Sequence, residues 1–269
     1  MPLETSTEKI LIGVIGGSGL YNLDNLTFVK HVNPETPWGK PSSPITIARA
    51  PGGTLVAFLA RHGIGHSINP SAVPARANIA ALKSLGVKLI VAFSAVGSLR
   101  EEIKPGDFVL PDQIIDRTKG IRPASFFEGT NVVAHAQFGD PFANKLLKYL
   151  EGHFVWRALN SQLAQKAKCI VPGGRSNQYE PTATDYDSWR ESSEPVTAAE
   201  VFKTLQSNAD TSRRVTELIV ADLHEAAENG DLLSEEAGSM QFSIMPRTQK
   251  AKDEDIEKLS FILPQYFSS

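Results

Sequence analysis

Cysteine is almost missing from this chain. Cys169 alone among 269 residues excludes an internal disulfide and a cysteine-built metal cluster, and it fits a reducing compartment. A surplus of positive charge is missing too. Lys and Arg number 27 against 30 Asp and Glu, a net charge of −3. Nucleic acid and anionic membrane surfaces do not attract a mildly acidic protein, so neither is expected as the main partner. No apolar run approaches the length of a membrane span, and the polar, acidic start Met-Pro-Leu-Glu-Thr does not resemble a signal peptide. Internal repeats and linkers of disordered composition are also lacking. What remains, 41% hydrophobic and 21% charged, is ordinary for a soluble globular protein, and an intracellular one is expected. The length allows one large α/β domain or two small ones.

The most distinctive stretch comes early. Ile10–Ile15 is branched and apolar without alternation, which suits a strand buried on both faces. Gly16, Gly17 and Gly19, with Ser18 among them, then allow a sharp turn and close approach to an anion. A dinucleotide fingerprint needs a third glycine at position 22, where Asn22 stands, and no Gly-Lys-Ser/Thr follows to make a P-loop. Taken alone, the loop is equally well a tight turn after a strand.

Further along, Ile45–Arg49 and Thr54–Ala60 read as paired strands around Pro51-Gly52-Gly53, after an irregular, proline-bearing stretch from Phe28 to Pro41. A helix is expected over Asn69–Gly86 and strands over Lys88–Phe93 and Asp107–Ile115. Asp140-Pro141 predicts a helix start leading to Leu146–Leu150. The capping box Thr197-Ala-Ala-Glu200 opens a helix to about Asn208, and a separate helix is expected over Ser212–Glu228. Asp253–Leu263 predicts a last helix or arm. Strands alternating with helices indicate α/β architecture. Between Glu151 and Pro181 the pattern is poor and does not look like part of a packed fold.

Three strand ends carry anion-binding residue types. Ser18 follows the first strand, Arg61-His62 follows another, and Ser94-Ala95 opens a small hydroxyl-bearing loop after a third. Arg offers a planar fork for phosphate oxygens, and the adjacent His a further donor. Taken alone, the glycine loop is equally a tight turn, and the Arg-His pair is better read as a surface arginine beside a satisfied histidine; the coincidence of three suits an anion site beyond a sheet's carboxyl edge. His62 and His66 are four apart, but Gly63 and Gly65 disfavour a helix there and further ligands are lacking, so no metal site is expected. Asp185 and Asp187, flanking Tyr186, are either helix-capping turn residues or a general acid beside a hydrogen-bond acceptor.

Gly16-Gly-Ser-Gly-Leu20, Thr36-Pro-Trp-Gly39, Ala60-Arg-His-Gly63, Gly97-Ser-Leu-Arg-Glu-Glu102, Pro105-Gly-Asp107, Asp116-Arg-Thr118, Arg122-Pro123, Thr184-Asp-Tyr-Asp187 and Met245-Pro-Arg247 resemble, in order, the S-methyl-5′-thioadenosine phosphorylases of the trimeric purine nucleoside phosphorylase family. The resemblance implies a single α/β domain over 1–269, with a mixed sheet or distorted barrel flanked by helices. It implies phosphorolysis of methylthioadenosine to adenine and 5-methylthioribose 1-phosphate, a step of methionine and purine salvage. A 6-oxopurine nucleoside phosphorylase is the alternative substrate class. Phosphate would be held by Ser18, Arg61, His62, Ser94 and Ala95. Asp185 would protonate the departing purine, and Asp187 would accept from the 6-amino group. Ala198 and Val201 fall where the family lines its methylthio pocket, and His135 where it reaches a neighbouring subunit. A homotrimer is implied, located in the cytoplasm and also in the nucleus, with phosphate as co-substrate, no cofactor and no metal.

The chain departs from the family at one place. The Glu-Gly-Pro-x-Phe-Ser segment that stacks on the base and the Asn-Met-Ser/Thr segment that contacts ribose do not occur, and residues 151–181 form an atypical segment in their stead. An abrupt gap between well-matched blocks is what an altered transcript or gene model leaves, and it predicts a catalytically impaired family member as a further alternative.

Overall fold

The computed structural model describes residues 9–16, 26–118, 120–136, 139, 141–158, 178–185, 198–232, 238, 240–244 and 251–267. Its centre is a six-stranded sheet. The strands are β1 (Ile12–Gly16), β2 (Thr27–Val32), β3 (Ile45–Arg49), β4 (Leu55–Ala60), β5 (Leu89–Gly97) and β6 (Gln178–Asp185), in spatial order β2-β3-β4-β1-β5-β6. β4, β1, β5 and β6 run parallel, while β2–β3 and β3–β4 are antiparallel. The carboxyl ends of four strands therefore lie along one edge, which is where open α/β sheets place their ligands.

The continuous apolar runs of β1, β4 and β5 fill both faces of the sheet, as parallel strands require. On one face Ile12, Val14, Val56, Val91 and Phe93 pack against α2 (Asn144–Ala158) and α3 (Ala198–Glu228) through Leu146, Leu150, Ile219 and Leu223. On the other, Ile45, Ile47, Ala57 and Leu59 meet Ala81 and Leu82 of α1 (Ala75–Ser84). The Tyr149 hydroxyl donates to the Asp222 carbonyl at 2.9 Å and locks α2 onto α3. Short helices α4 (Asp253–Ser260) and α5 (Pro264–Phe267) form the C-terminal arm, where buried Asp255 accepts from the Asn131 N–H at 2.9 Å.

Several sequence expectations give way to tertiary context. The irregular stretch after the glycine loop contains β2, an exposed edge strand recruited by β3 although its composition is mixed. α1 begins at Ala75, because Pro70 and Pro74 confine the preceding residues to a 3-10 turn over Pro70–Ala72. No strand forms over Asp107–Ile115; Phe108 and Leu110 are buried in the core without a regular ladder, and Pro105 and Pro111 bracket them. The helix expected from Asp140-Pro141 starts at Asn144 instead.

Two further differences concern the second half of the chain. Helices expected over Thr197–Asn208 and Ser212–Glu228 are one 31-residue helix, α3. No Gly or Pro interrupts it, and the hydroxyls of Thr211 and Thr216 bond back to the carbonyls of Ser207 and Ser212, four residues earlier, instead of capping a new start. The segment 151–181 also contributes more than expected. α2 continues to Ala158, and β6 begins at Gln178 and pairs with β5.

Candidate active site

The strand ends assemble around Arg61. β4 and β5 flank β1, so a side chain leaving the end of β4 can cross the end of β1 and touch β5. Arg61 does this. Its backbone N–H donates to the Gly16 carbonyl at 3.3 Å, extending the β4–β1 ladder, and its Nη1 donates to the Phe93 carbonyl of β5. One residue at the end of β4 is thus bonded to β1 through its backbone N–H and to β5 through its guanidinium, with Ser94 the next residue after the guanidinium's acceptor. Fixing a long side chain costs rotamer freedom, and here that loss is incurred in folding, before any anion arrives.

His62 is held beside it. Arg61 Nε can only donate, so the His62 Nε2 at 3.1 Å must accept, which places the neutral ring's proton on Nδ1. That Nδ1–H donates to the Ile68 carbonyl at 2.8 Å, while the Ile68 N–H donates to the His62 carbonyl at 2.9 Å. This reciprocal pair closes the loop His62–Ile68, and Gly63 makes the closure possible. At φ +73°, it adopts a left-handed conformation, and a Cβ there would lie 3.0 Å from Ser67 Oγ. His66 stacks on His62 with centroids 4.4 Å apart. Burial pushes the His62 imidazole below the ordinary histidine range. The charges of Arg61, His66 and Arg122 push it the same way, and the bond to the Ile68 carbonyl opposes them. His62 as a whole residue is only 7% exposed.

Ser94 and Ala95 do not lie on a loop. β5 continues through Gly97 because β6 pairs alongside it, with Ser94 opposite Pro181 and Ala95 opposite Thr182. The half-buried Asp185 ends β6 opposite Gly97, just past a register irregularity, and its carbonyl accepts from the Ser98 N–H at 2.8 Å. Arg61, His62, Ser94, Ala95 and Asp185 are therefore brought to one edge of one sheet, from β4, β5 and β6. Ser18 and Asp187 lie outside the described residues. Ala198 and Val201 sit in the first turns of α3, which packs against β6.

His135 is not brought to that edge by its own chain's contacts. It is exposed on a loop tied to residues 240–244, where its N–H donates to the Ser243 carbonyl and Ala134 bridges Ile244. Exposed Val133 and Phe242 lie on the same two segments. A cavity of about 320 Å³ opens on the β3–β4 side, lined by Val14, Gly16, Phe58, Ala60, Thr46 and His31 among others. Its lining shares no residue with the predicted set. Among the described residues no three His, Cys, Asp or Glu side chains converge as metal ligands would.

Sequence reasoning missed the Phe93 carbonyl, the Ile68 clamp and the electrostatic reach of Arg122, since these depend on backbone atoms or on a distant loop. Only the glycines at 63 and 65 hinted that the chain must turn back there.

Residues 11–173 match the phosphorylase superfamily. The chain is 51% identical to the S-methyl-5′-thioadenosine phosphorylase of Coprinopsis cinerea, covering 97% of this chain and 98% of that one. It is 41% identical to the enzyme of the same name from Schizosaccharomyces pombe, again over 97% and 98%. The Coprinopsis alignment runs over 319 positions against 269 residues here, so the relative holds several dozen positions that this chain lacks. Among solved structures, a methylthioadenosine phosphorylase from an antarctic soil metagenomic library superposes with a TM-score of 0.79 at 31% identity, covering 96% of this chain and all of that one. A methylthioadenosine phosphorylase from Schistosoma mansoni in complex with adenine gives 0.73 at 25% identity, over 87% and 99%. On the full-length likeness to these relatives, and on the superfamily match, the chain belongs to the S-methyl-5′-thioadenosine phosphorylase family.

Proposed function

We propose that the chain catalyses phosphorolysis of S-methyl-5′-thioadenosine. The observation that carries this reading is the span of Arg61 across β4, β1 and β5, with Asp185 ending the next strand. A phosphate oxygen attacks the ribosyl C1′ as the bond from C1′ to the purine N9 breaks, giving adenine and 5-methylthioribose 1-phosphate. The sugar becomes cation-like as this bond breaks, so phosphate held beside it stabilises charge that develops only in the transition state. Asp185 gives its proton to N7 of the departing purine. Ser18, Ser94 and Ala95 complete the phosphate side, His62, with both ring nitrogens bonded, holds Arg61 in place for it, and Asp187 accepts from the 6-amino group. Inorganic phosphate is a co-substrate, and the reaction needs no cofactor.

The assay is adenine release from methylthioadenosine by the purified chain, with and without phosphate. Phosphate-dependent release supports the reading; faster cleavage of inosine points to the 6-oxopurine class. A second reading has an observation of its own. The chain lacks several dozen positions of its Coprinopsis relative, and the base-stacking and ribose-contact motifs are absent from its sequence. A family member that keeps the phosphate side but turns over poorly would show phosphate binding without release at high protein concentration.

The homotrimer belongs to the same proposal. The exposed apolar side chains Val133 and Phe242, beside His135, support a subunit contact that carries His135 toward a neighbouring site. Light scattering of the purified chain at three times its monomer mass supports this; a monomer rejects it.

A further inference from the structure

One buried polar side chain lies outside this chemistry yet ends at it. Asn78 is in the interior of α1 and only 3% exposed, among the buried alanines 77, 80 and 81. Helix propensity and the apolar surroundings both favour alanine at such a position, and a buried amide is costly unless its groups are bonded. Both groups of Asn78 are used on one residue. Its Oδ1 accepts from the Ser42 N–H at 2.7 Å, and its Nδ2 donates to Ser42 Oγ at 2.9 Å.

Ser42 and Ser43 are enclosed by Pro41 and Pro44, neither of which carries an N–H. Where β3 gives way to this loop, the ladder to β4 is continued by a side chain. Ser43 Oγ donates to the Pro44 carbonyl at 3.1 Å and accepts from the Ala60 N–H at 3.2 Å. Ala60 ends β4, and the following residue is Arg61, whose own N–H is bonded on the other side to Gly16. A chain of hydrogen bonds therefore runs from the interior of α1 through the 41–44 loop to the point where the guanidinium is aimed across the sheet.

We propose that Asn78 is a positioning residue for the anion end of the site. By clamping Ser42 it sets Ser43 Oγ against the Ala60 N–H, and so fixes where β4 stops and from where Arg61 reaches toward β5. The inference rests on the phosphorylase reading for its kinetic consequence but not for its structural one. Small displacements of a binding group are costly because the orientation is no longer supplied in advance.

The test uses the full chain with Asn78→Ala, Ser43→Ala and Ser42→Ala. Asn78→Ala and Ser43→Ala should each raise the KM for phosphate by about tenfold while kcat and the KM for methylthioadenosine stay nearly unchanged. Because both act along one chain of bonds, the double variant should be no worse than either alone. Ser42→Ala, which keeps the bond from the backbone N–H and loses only the one from Asn78 Nδ2, should raise the phosphate KM less than Asn78→Ala does. Independently of catalysis, amide hydrogen exchange at Ala60 should quicken more in Asn78→Ala than in Ser42→Ala. Effects that multiply in the double variant, an unchanged phosphate KM, or exchange that quickens evenly over the sheet would overturn the proposal. If Asn78→Ala does not fold, Ser43→Ala carries the kinetic arm. If the unaltered chain releases no adenine, the phosphorylase reading fails and the exchange at Ala60 still decides this one.

Discussion

Replacing Gly63 by alanine separates two costs that the loop after β4 keeps in one place. Gly63 and Gly65 have almost the same backbone, φ +73° and +72°. An L-residue held in that left-handed region costs about 1–2 kcal/mol, and the cost applies equally at both positions. The stabilisation from a stiffer unfolded chain, about 0.4–1 kcal/mol for Gly→Ala, also applies to both and cancels in the difference. The surroundings do not cancel. At Gly65 a Cβ meets nothing within 4 Å, whereas at Gly63 it meets Ser67 Oγ at 3.0 Å and two side-chain carbons of Ile68 at 3.2 and 3.3 Å. Overpacking of that kind costs about 1–3 kcal/mol, so Gly63→Ala should be less stable than Gly65→Ala by about that amount. Urea unfolding of the two variants measures the gap. The neighbours forced to yield include Ile68, whose carbonyl holds His62 Nδ1–H, so phosphate affinity should fall more in Gly63→Ala than in Gly65→Ala. Equal losses of stability in the two variants would refute the reasoning, since they would mean that the contacts around Gly63 carry no weight.

Other outcomes follow from the same geometry. Asp185→Asn should reduce turnover strongly and leave phosphate affinity nearly unchanged, because the amide keeps the shape but has no proton to give to N7; an unaltered rate in the adenine-release assay would remove Asp185 from that role. Arg61→Lys should raise the phosphate KM by about tenfold or more, since a point-like ammonium cannot bond His62 Nε2 and the Phe93 carbonyl together as the planar fork does. The depressed His62 makes stability depend on pH with a definite sign. Above its ordinary value of 6.5 the ring is neutral in both folded and unfolded chains, and it contributes no slope. As pH falls below 6.5 the unfolded chain takes up the proton that the folded chain resists, so stability is lost until the folded ring titrates as well. Urea midpoints measured from pH 7.5 down to 5 should therefore fall less steeply in His62→Gln; identical slopes would show that His62 is not the group responsible.

Much of the central sheet can be read locally. β1, β4 and the start of β5 are continuous apolar runs, β3 alternates around Thr46 beside the Pro51-Gly52-Gly53 turn, and such signals need no distant partner to be recognised. The extension of β5 past Phe93 is different. Ser94, Ala95, Val96 and Gly97 have the composition of a loop, and they are strand because β6, some eighty residues later in sequence, supplies the ladder. The same reasoning covers β2, which is exposed and mixed in composition and is a strand through its pairing with β3.

The candidate site divides along the same line. That Arg61, His62, Ser94 and Asp185 are the residue types an anion and a departing purine require was legible from their chemistry and order. So was the family, through motifs short enough to be complete in sequence. What the sequence by itself determined is thus the family, the candidate site residues by their chemistry, and the strands β1, β3 and β4; that Ser94 and Asp185 lie on strands at all depends on the pairing of β5 with β6. Tertiary structure decided that β4, β1, β5 and β6 end on one edge, that Arg61 crosses to the Phe93 carbonyl, which proton His62 carries, and that Asn78 in α1 reaches the end of β4 through Ser42 and Ser43. Those bonds join backbone and side-chain atoms far apart in sequence. Their geometry is set by packing the whole sheet against its helices, and no local pattern encodes it.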